Sequence, residues 1–288
     1  MKYLNMKFIK FTSITLLFSC STINYKGTNS KIIQQQETII IRNDFHKYFE
    51  NCIVEGSIVI YDNNKRQWIV SDTVGTRKET LPASTFKIIN LLVALETKTI
   101  ETEHDIVKWV GSTDTIKYGY RPEIYHDMTV KNAFDVSAGW VFIELAKKIG
   151  KEKYKKYLTL CNYGNLKLSQ KEDDFWNFGD FAISPINQVE FLKKLYEGKL
   201  PFSKRSMDIV KKTLISEQKE DYTIRAKTGW TREGGINTGW WIGYLEKKEG
   251  VYFFATRLLQ DRRLNSPSFG NCRKDITKSV FKDLTFLK

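Results

Sequence analysis

The chain has 288 residues, 41% hydrophobic and 14% aromatic, which suits one large domain or two closely packed lobes and argues against general disorder. Its formal net charge of +13 raises nucleic-acid binding, but the lysines are spread along the chain, as at Lys147, Lys148, Lys151, Lys153, Lys155 and Lys156, with no zinc-finger or RNA-recognition pattern. The charge therefore reads as a basic surface, and no nucleic-acid partner is expected.

In chain order, the first segment reads as an export signal. Lys2, Lys7 and Lys10 flank a short apolar run, Phe11 to Phe18, which is too short to cross a bilayer as a helix. Ser19-Cys20 follows, and a small residue before a cysteine is similar to the bacterial lipobox, in which that cysteine becomes lipidated. Phe18 is bulky for the pattern, so ordinary cleavage nearby, or a cysteine without a special role, stands beside lipidation. Residues 1–19 are expected to form the signal peptide, 20–40 a polar tether and 41–288 the domain. The protein is expected to be exported to the periplasm, with the membrane as partner only through lipid on Cys20.

Gly56 to Tyr61, the turn signal Asp62-Asn63-Asn64-Lys65 and Gln67 to Val70 predict a hairpin. A helix opening at Ser84 comes next, and residues 98 to 128 are mixed and loop-rich. Helices are expected over Thr129 to Ile149 and Glu152 to Leu160, then a loop from Gly164 to Asp180. Ser184-Pro185 reads as an N-cap with proline at the first helical position, and the helix ends before Gly198. Ser203 to Leu214 reads as another helix. Tyr222 to Lys227, Gly239 to Glu246 and Val251 to Leu259 read as strands, and Arg273 to Leu287 as a closing helix. Strands at both ends with helices between predict an α+β fold: an antiparallel sheet from both termini, flanked by helices, with a helical lobe inserted over about 98–185. A cleft between lobes is a natural ligand site.

Ser84-Thr85-Phe86-Lys87 carries the chemistry. A serine and a lysine three apart at a helix start share one face, and a lysine kept neutral by an apolar setting takes the serine proton. Ser216/Lys219 and Ser279/Lys282 repeat the spacing, as chance allows about once in a chain this long. The first of these is polar throughout and reads as a solvated turn, and the second lies near the C-terminus. Only Ser84 has a proline before it and a long apolar run, Ile88 to Leu95, after it. Lys227-Thr228-Gly229 offers a charge, a hydroxyl and close backbone approach, which suits a substrate carboxylate. Tyr163-Gly164-Asn165 lies between the two and reads by itself as a turn. The three histidines lie away from the cysteines, so no metal site is expected, and no Ser-His-Asp elbow occurs. Of Cys52, Cys161 and Cys272, the sequence assigns no bridge.

Taken together, these motifs resemble those of the class D β-lactamases, within the β-lactamase/transpeptidase-like fold. Phe175-Trp176, Ile183-Ser184 and the strand Trp240 to Glu246 extend the resemblance over about residues 40 to 288. It implies that Ser84 is acylated by the β-lactam, and that Lys87, carboxylated by CO2 on its side-chain nitrogen, is the general base. It implies that Trp176 donates to that carbamate, and that the N–H groups of Ser84 and Trp230 form an oxyanion hole. Lys227, Thr228 and Arg273 would hold the substrate carboxylate beside Gly229, and Tyr163, Gly164 and Asn165 would be architectural. The family's Ser-x-Val motif reads Ser137-Ala138-Gly139 here; the serine would relay protons, and Gly139 removes an apolar wall beside Lys87, which would either admit water that weakens the carbamate or help the deacylating water enter. Apart from CO2 no cofactor is implied. Two other readings share these signatures: a penicillin-sensing domain, disfavoured by the single short apolar segment, and a D,D-peptidase, which usually carries Ser-x-Asn. Trp109, Tyr118 and Thr231 to Thr238 are the candidates for shaping substrate choice.

Overall fold

The computed structural model describes residues 36–170, 172–264 and 268–288. Its first elements are β1 (Thr38–Ile41), α1 (His46–Glu50), β2 (Glu55–Asp62), β3 (Gln67–Val70) and α2 (Lys87–Glu96). The middle holds β4 (Ile106–Val107), α3 (Thr115–Tyr118), β5 (Met128–Thr129), α4 (Val130–Asp135), α5 (Gly139–Ile149) and α6 (Lys151–Cys161). Then come α7 (Pro185–Tyr196), α8 (Lys204–Thr213), β6 (Ile215–Gln218), β7 (Tyr222–Glu233), β8 (Ile236–Lys247), β9 (Gly250–Asp261) and α9 (Phe269–Asp283). Cys20 and the rest of the stretch expected to be an export signal lie outside the described residues.

Both chain ends feed one seven-stranded sheet ordered β1-β3-β2-β9-β8-β7-β6. The sheet is antiparallel as expected except at its edge, where β1 runs parallel to β3. A hairpin forces neighbouring strands to be antiparallel; β1 and β3 are separated by α1 and β2, which frees them to align. Side chains alternate across the sheet. Val59 and Tyr61 of β2 face a core shared with α2, α5 and α7, while Ile58 and Ile60 face a second core with α1 and α9. Helix α2 is buried on all sides except at Glu96, as its unbroken apolar run requires.

The segment expected as one helix from Thr129 to Ile149 is two. Thr129 caps α4, its Oγ1 accepting from Asn132 N–H at 3.1 Å. Then Ser137, at φ +58°, turns the chain: its N–H donates to Phe134 and that of Ala138 to Ala133, the Schellman pattern that usually has glycine. The last helix starts at Phe269 rather than Arg273, because Phe269, Cys272, Ile276 and Val280 form its buried stripe. Strands β7 and β8 run further than expected, and their turn is Gly234-Gly235, both at positive φ. Ser216 to Lys219, read as a solvated turn, contributes to edge strand β6. The Ser184 cap on α7 is present, with Asn187 N–H donating to its Oγ. Cys52 and Cys272 form a disulfide between the end of α1 and α9, and Cys161 is free and buried.

Candidate active site

Ser84 sits in a 3-10 turn, Ala83–Phe86, and Lys87 is the first residue of α2. In a 3-10 turn side chains three apart eclipse, so the spacing that suggested one helical face places Lys87 Nζ 2.6 Å from Ser84 Oγ. The turn is held from several sides. Ala83, at φ +51°, donates its N–H to Trp176 O at 2.9 Å, and Trp240 Nε1 donates to Leu81 O at 2.9 Å. Gln188 Nε2 donates to Thr85 Oγ1, which donates to Pro82 O. A left-handed alanine costs about 1–2 kcal/mol, and these bonds hold it.

Lys87 is 1% exposed. Burial holds its ammonium pKa well below the ordinary lysine range, and the charges of Lys227 and Arg121 add to this. Burial thus favours the uncharged amine, the form that a proton acceptor for Ser84 would need. Trp176 is completely buried and stacks on Phe86 at 4.9 Å, yet its Nε1 makes no hydrogen bond. A buried N–H without a partner is uncommon. It fits an acceptor group added at Lys87.

Lys227 Nζ donates to Ser137 Oγ at 3.0 Å and to Thr228 O at 3.0 Å. The left-handed turn at Ser137 is what brings this hydroxyl to β7. Burial pushes the Lys227 pKa down to about 7, helped by the charge of Arg273 and opposed by Asp135. Gly229 packs on the nucleophile's turn: a Cβ there would stand 2.8 Å from Pro82 O, so the glycine serves strand-to-turn approach as well as any ligand. Ala226 N–H bonds Leu214 O on the β6 side of β7. The two-residue repeat points Trp230 N–H to that same edge, past the end of β6. Ser84 N–H lies in the first turn of its 3-10 segment, where donors lack partners within the turn.

Arg273 donates Nη1 to Gly229 O and Nε to Gly270 O, both at 2.8 Å, and burial brings its pKa to about 10. Starting α9 one turn early is what lets it reach back over β7. Trp230 is partly exposed and packs on Phe269 at 5.1 Å.

Ser84, Lys87, Ser137, Thr228, Trp230 and Arg273 line one cleft of about 590 Å³, to which Gly229 also contributes. Lys227 and Trp176 are buried behind its walls. Tyr163, Gly164 and Asn165 do not reach it. Tyr163 packs edge-on against Phe86, Gly164 N–H donates to Asn187 Oδ1, and Asn165 bonds the backbone at Asp180 and Ala182, so this motif supports the wall from behind. Neither spare Ser-x-x-Lys pair is at the cleft. Tyr118, Thr231 and Arg232 line it, whereas Trp109 stacks on Tyr125 outside the lining. Gly139 opens α5 at the cleft, with no atom within 4 Å of an added Cβ, and Trp140, which also lines the cleft, donates Nε1 to Ile124 O. Sequence reasoning missed Arg121, which lines the cleft and acts on both lysines; an arginine in a mixed, loop-rich stretch carries no local signal.

Residues 55–285 match the penicillin-binding protein transpeptidase domain family. The chain is 37% identical over 248 residues to β-lactamase OXA-10 of Pseudomonas aeruginosa, covering 85% of this chain and 90% of that protein. It is 37% identical over 238 residues to β-lactamase OXA-48 of Klebsiella pneumoniae, covering 83% of this chain and 86% of the relative. A crystal structure of a class D β-lactamase from Sebaldella termitidis superposes with a TM-score of 0.82 at 36% identity, over 88% of this chain and 99% of the other.

Proposed function

This chain belongs to the class D β-lactamases, within the penicillin-binding transpeptidase family, and we propose that its serine chemistry runs through Ser84. The protein is a serine β-lactamase and so an enzyme of antibiotic resistance. The observation that carries the residue assignment is the 2.6 Å contact in the cleft between Ser84 Oγ and Lys87, a buried lysine whose uncharged form burial favours. Lys87 takes the hydroxyl proton as Oγ attacks the β-lactam carbonyl, and the C–N bond of the ring breaks to leave an ester on Ser84. Ser137 Oγ, supplied by Lys227, is placed to protonate the leaving nitrogen. The N–H groups of Ser84 and Trp230 receive the developing oxyanion. Thr228 and Arg273, with the charge of Lys227 behind them, hold the ring carboxylate.

Lys87 fits a carbamate made with CO2, because only an uncharged amine reacts with CO2 and Trp176 Nε1 offers an unused donor. Such a group would supply a carboxylate base beside Ser84. Trp176 would orient it, and Phe86 holds the indole in place.

Export and a lipid on Cys20 are further parts of this reading, supported by the basic and short apolar N-terminal run. The Cys52–Cys272 disulfide supports an oxidising compartment. Among the described residues no helix is long and apolar enough to cross a membrane. Intact-mass analysis after brief exposure to a penicillin tests the assignment: a one-to-one adduct that maps to Ser84 supports it, and an adduct elsewhere overturns it.

A further inference from the structure

The side chains lining the cleft include five cationic residues, Lys87, Lys117, Arg121, Arg232 and Arg273, and no aspartate or glutamate among the described residues. One ring carboxylate does not account for so much charge. Lys87 is 1% exposed and committed to Ser84 Oγ, and burial favours its uncharged form. Lys117 is paired with Glu172 and, at 3.0 Å, with the buried Asp174. Arg273 stands on the β7 wall, where the ring carboxylate is expected, and Arg232 lies over the exposed ring of Trp230 beside it. Arg121 comes from the loop before β5 rather than from β7 or α9, and none of these roles falls to it.

Its guanidinium is held but not satisfied. Nη2 donates to Val136 O at 3.1 Å, which fixes it next to Ser137, and Nε donates to Glu123 at 2.9 Å. The Glu123 side chain is 62% exposed, so water screens that pair. Among the described residues Nη1 makes no hydrogen bond. The fork therefore keeps donors in a cleft free of acidic side chains, within Coulomb reach of both active-site lysines.

We propose that Arg121 is a specificity-determining residue that takes a second anionic group on the substrate's acyl side chain, so that the cleft favours dianionic penicillins. The chemistry it recognises is a carboxylate or sulfonate on the carbon next to the side-chain amide carbonyl. The proposal requires that the acyl side chain reach Arg121 while Thr228 and Arg273 hold the ring carboxylate. A planar fork matches such an anion with paired N–H donors, and a charge-assisted bond in a partly dry cleft discriminates by about 10- to 100-fold. This inference rests on the β-lactamase reading above.

The test compares kcat/KM for benzylpenicillin and for its α-carboxy derivative, carbenicillin, which shares the ring carboxylate and differs by one anionic group. In Arg121→Gln the ratio of carbenicillin to benzylpenicillin should fall about tenfold or more, mainly through KM, and Arg121→Lys should recover part of it. In the unaltered enzyme the same ratio should fall as salt rises from about 0.05 to 0.5 M, because an added partly exposed ion pair is screened. This salt series decides the matter if Arg121→Gln does not fold. A ratio that neither the substitution nor salt changes overturns the proposal. Absence of turnover of plain benzylpenicillin by the unaltered enzyme overturns the β-lactamase reading itself, and this inference with it.

Discussion

Lys227 Nζ donates to Ser137 Oγ at 3.0 Å, joining residues 90 positions apart across the cleft. One partner comes from the sheet and the other from the left-handed turn between α4 and α5. In the proposed mechanism the bond ties the proton relay to the carboxylate site, so that a single lysine would couple substrate binding to departure of the leaving nitrogen.

That coupling sets a pH dependence. In the free enzyme Lys227 has a pKa of about 7, below its ordinary value, so its charge is present below neutrality and is lost as pH rises through about 7. Substrate-carboxylate binding should weaken on that side, placing the alkaline limb of kcat/KM near 7. A bound carboxylate favours the ammonium, so the alkaline limb of kcat should lie higher. Arg273 lowers the Lys227 pKa by its charge. Arg273→Ala should therefore lower kcat/KM and move its alkaline limb upward. Parallel pH–rate profiles check this, and a limb that stays in place removes Lys227 as its source.

Trp176→Phe leaves a ring able to stack on Phe86 and removes the unpaired N–H together with part of the buried indole. The smaller ring should cost about 1–3 kcal/mol of stability, less than the roughly 3–5 kcal/mol expected for Trp176→Ala. Deacylation should slow, and added bicarbonate should restore only part of it. Single-turnover kinetics with and without bicarbonate measure the effect; behaviour like the parent enzyme would mean that the indole supports nothing at Lys87.

Gly139→Val should fold with an unchanged Tm, because an added Cβ meets open space. The new apolar wall should limit water around Lys87, favour its uncharged form and lower the bicarbonate needed for full turnover. A bicarbonate titration of both proteins decides whether the missing wall matters.

Gly229→Ala tests a packing role. The methyl would meet Pro82 O at 2.8 Å and the side chain of Thr85 at 3.1 Å. Stability should fall by about 1–3 kcal/mol, and kcat should fall with it as the Ser84 turn shifts. Thermal melts paired with kcat give the answer: a stable protein with only KM raised would assign the glycine to substrate contact alone.

The nucleophile was legible because Ser84 and Lys87 stand before an apolar run that can only be a buried helix. The sheet was legible from the apolar, strand-like runs of β2, β8 and β9, whose residues are buried on both faces. Ser137 could be read only through resemblance, since a left-handed serine leaves no glycine to mark the break. Trp176 looks like any core tryptophan until its N–H proves to be unpaired. The early start of α9 was written in the 269, 272, 276, 280 spacing, which Arg273 obscured as a polar residue on a different face. The Gly234-Gly235 turn was a direct hairpin signal that went unread. Arg121 was out of reach, because its role depends on a cleft formed by segments distant in sequence.

The most direct test of the account is oxacillin hydrolysis by the purified enzyme, followed with and without added bicarbonate. The account predicts sustained turnover that rises with bicarbonate and vanishes in Ser84→Ala. A single stoichiometric burst without turnover, whether or not bicarbonate is present, would contradict it.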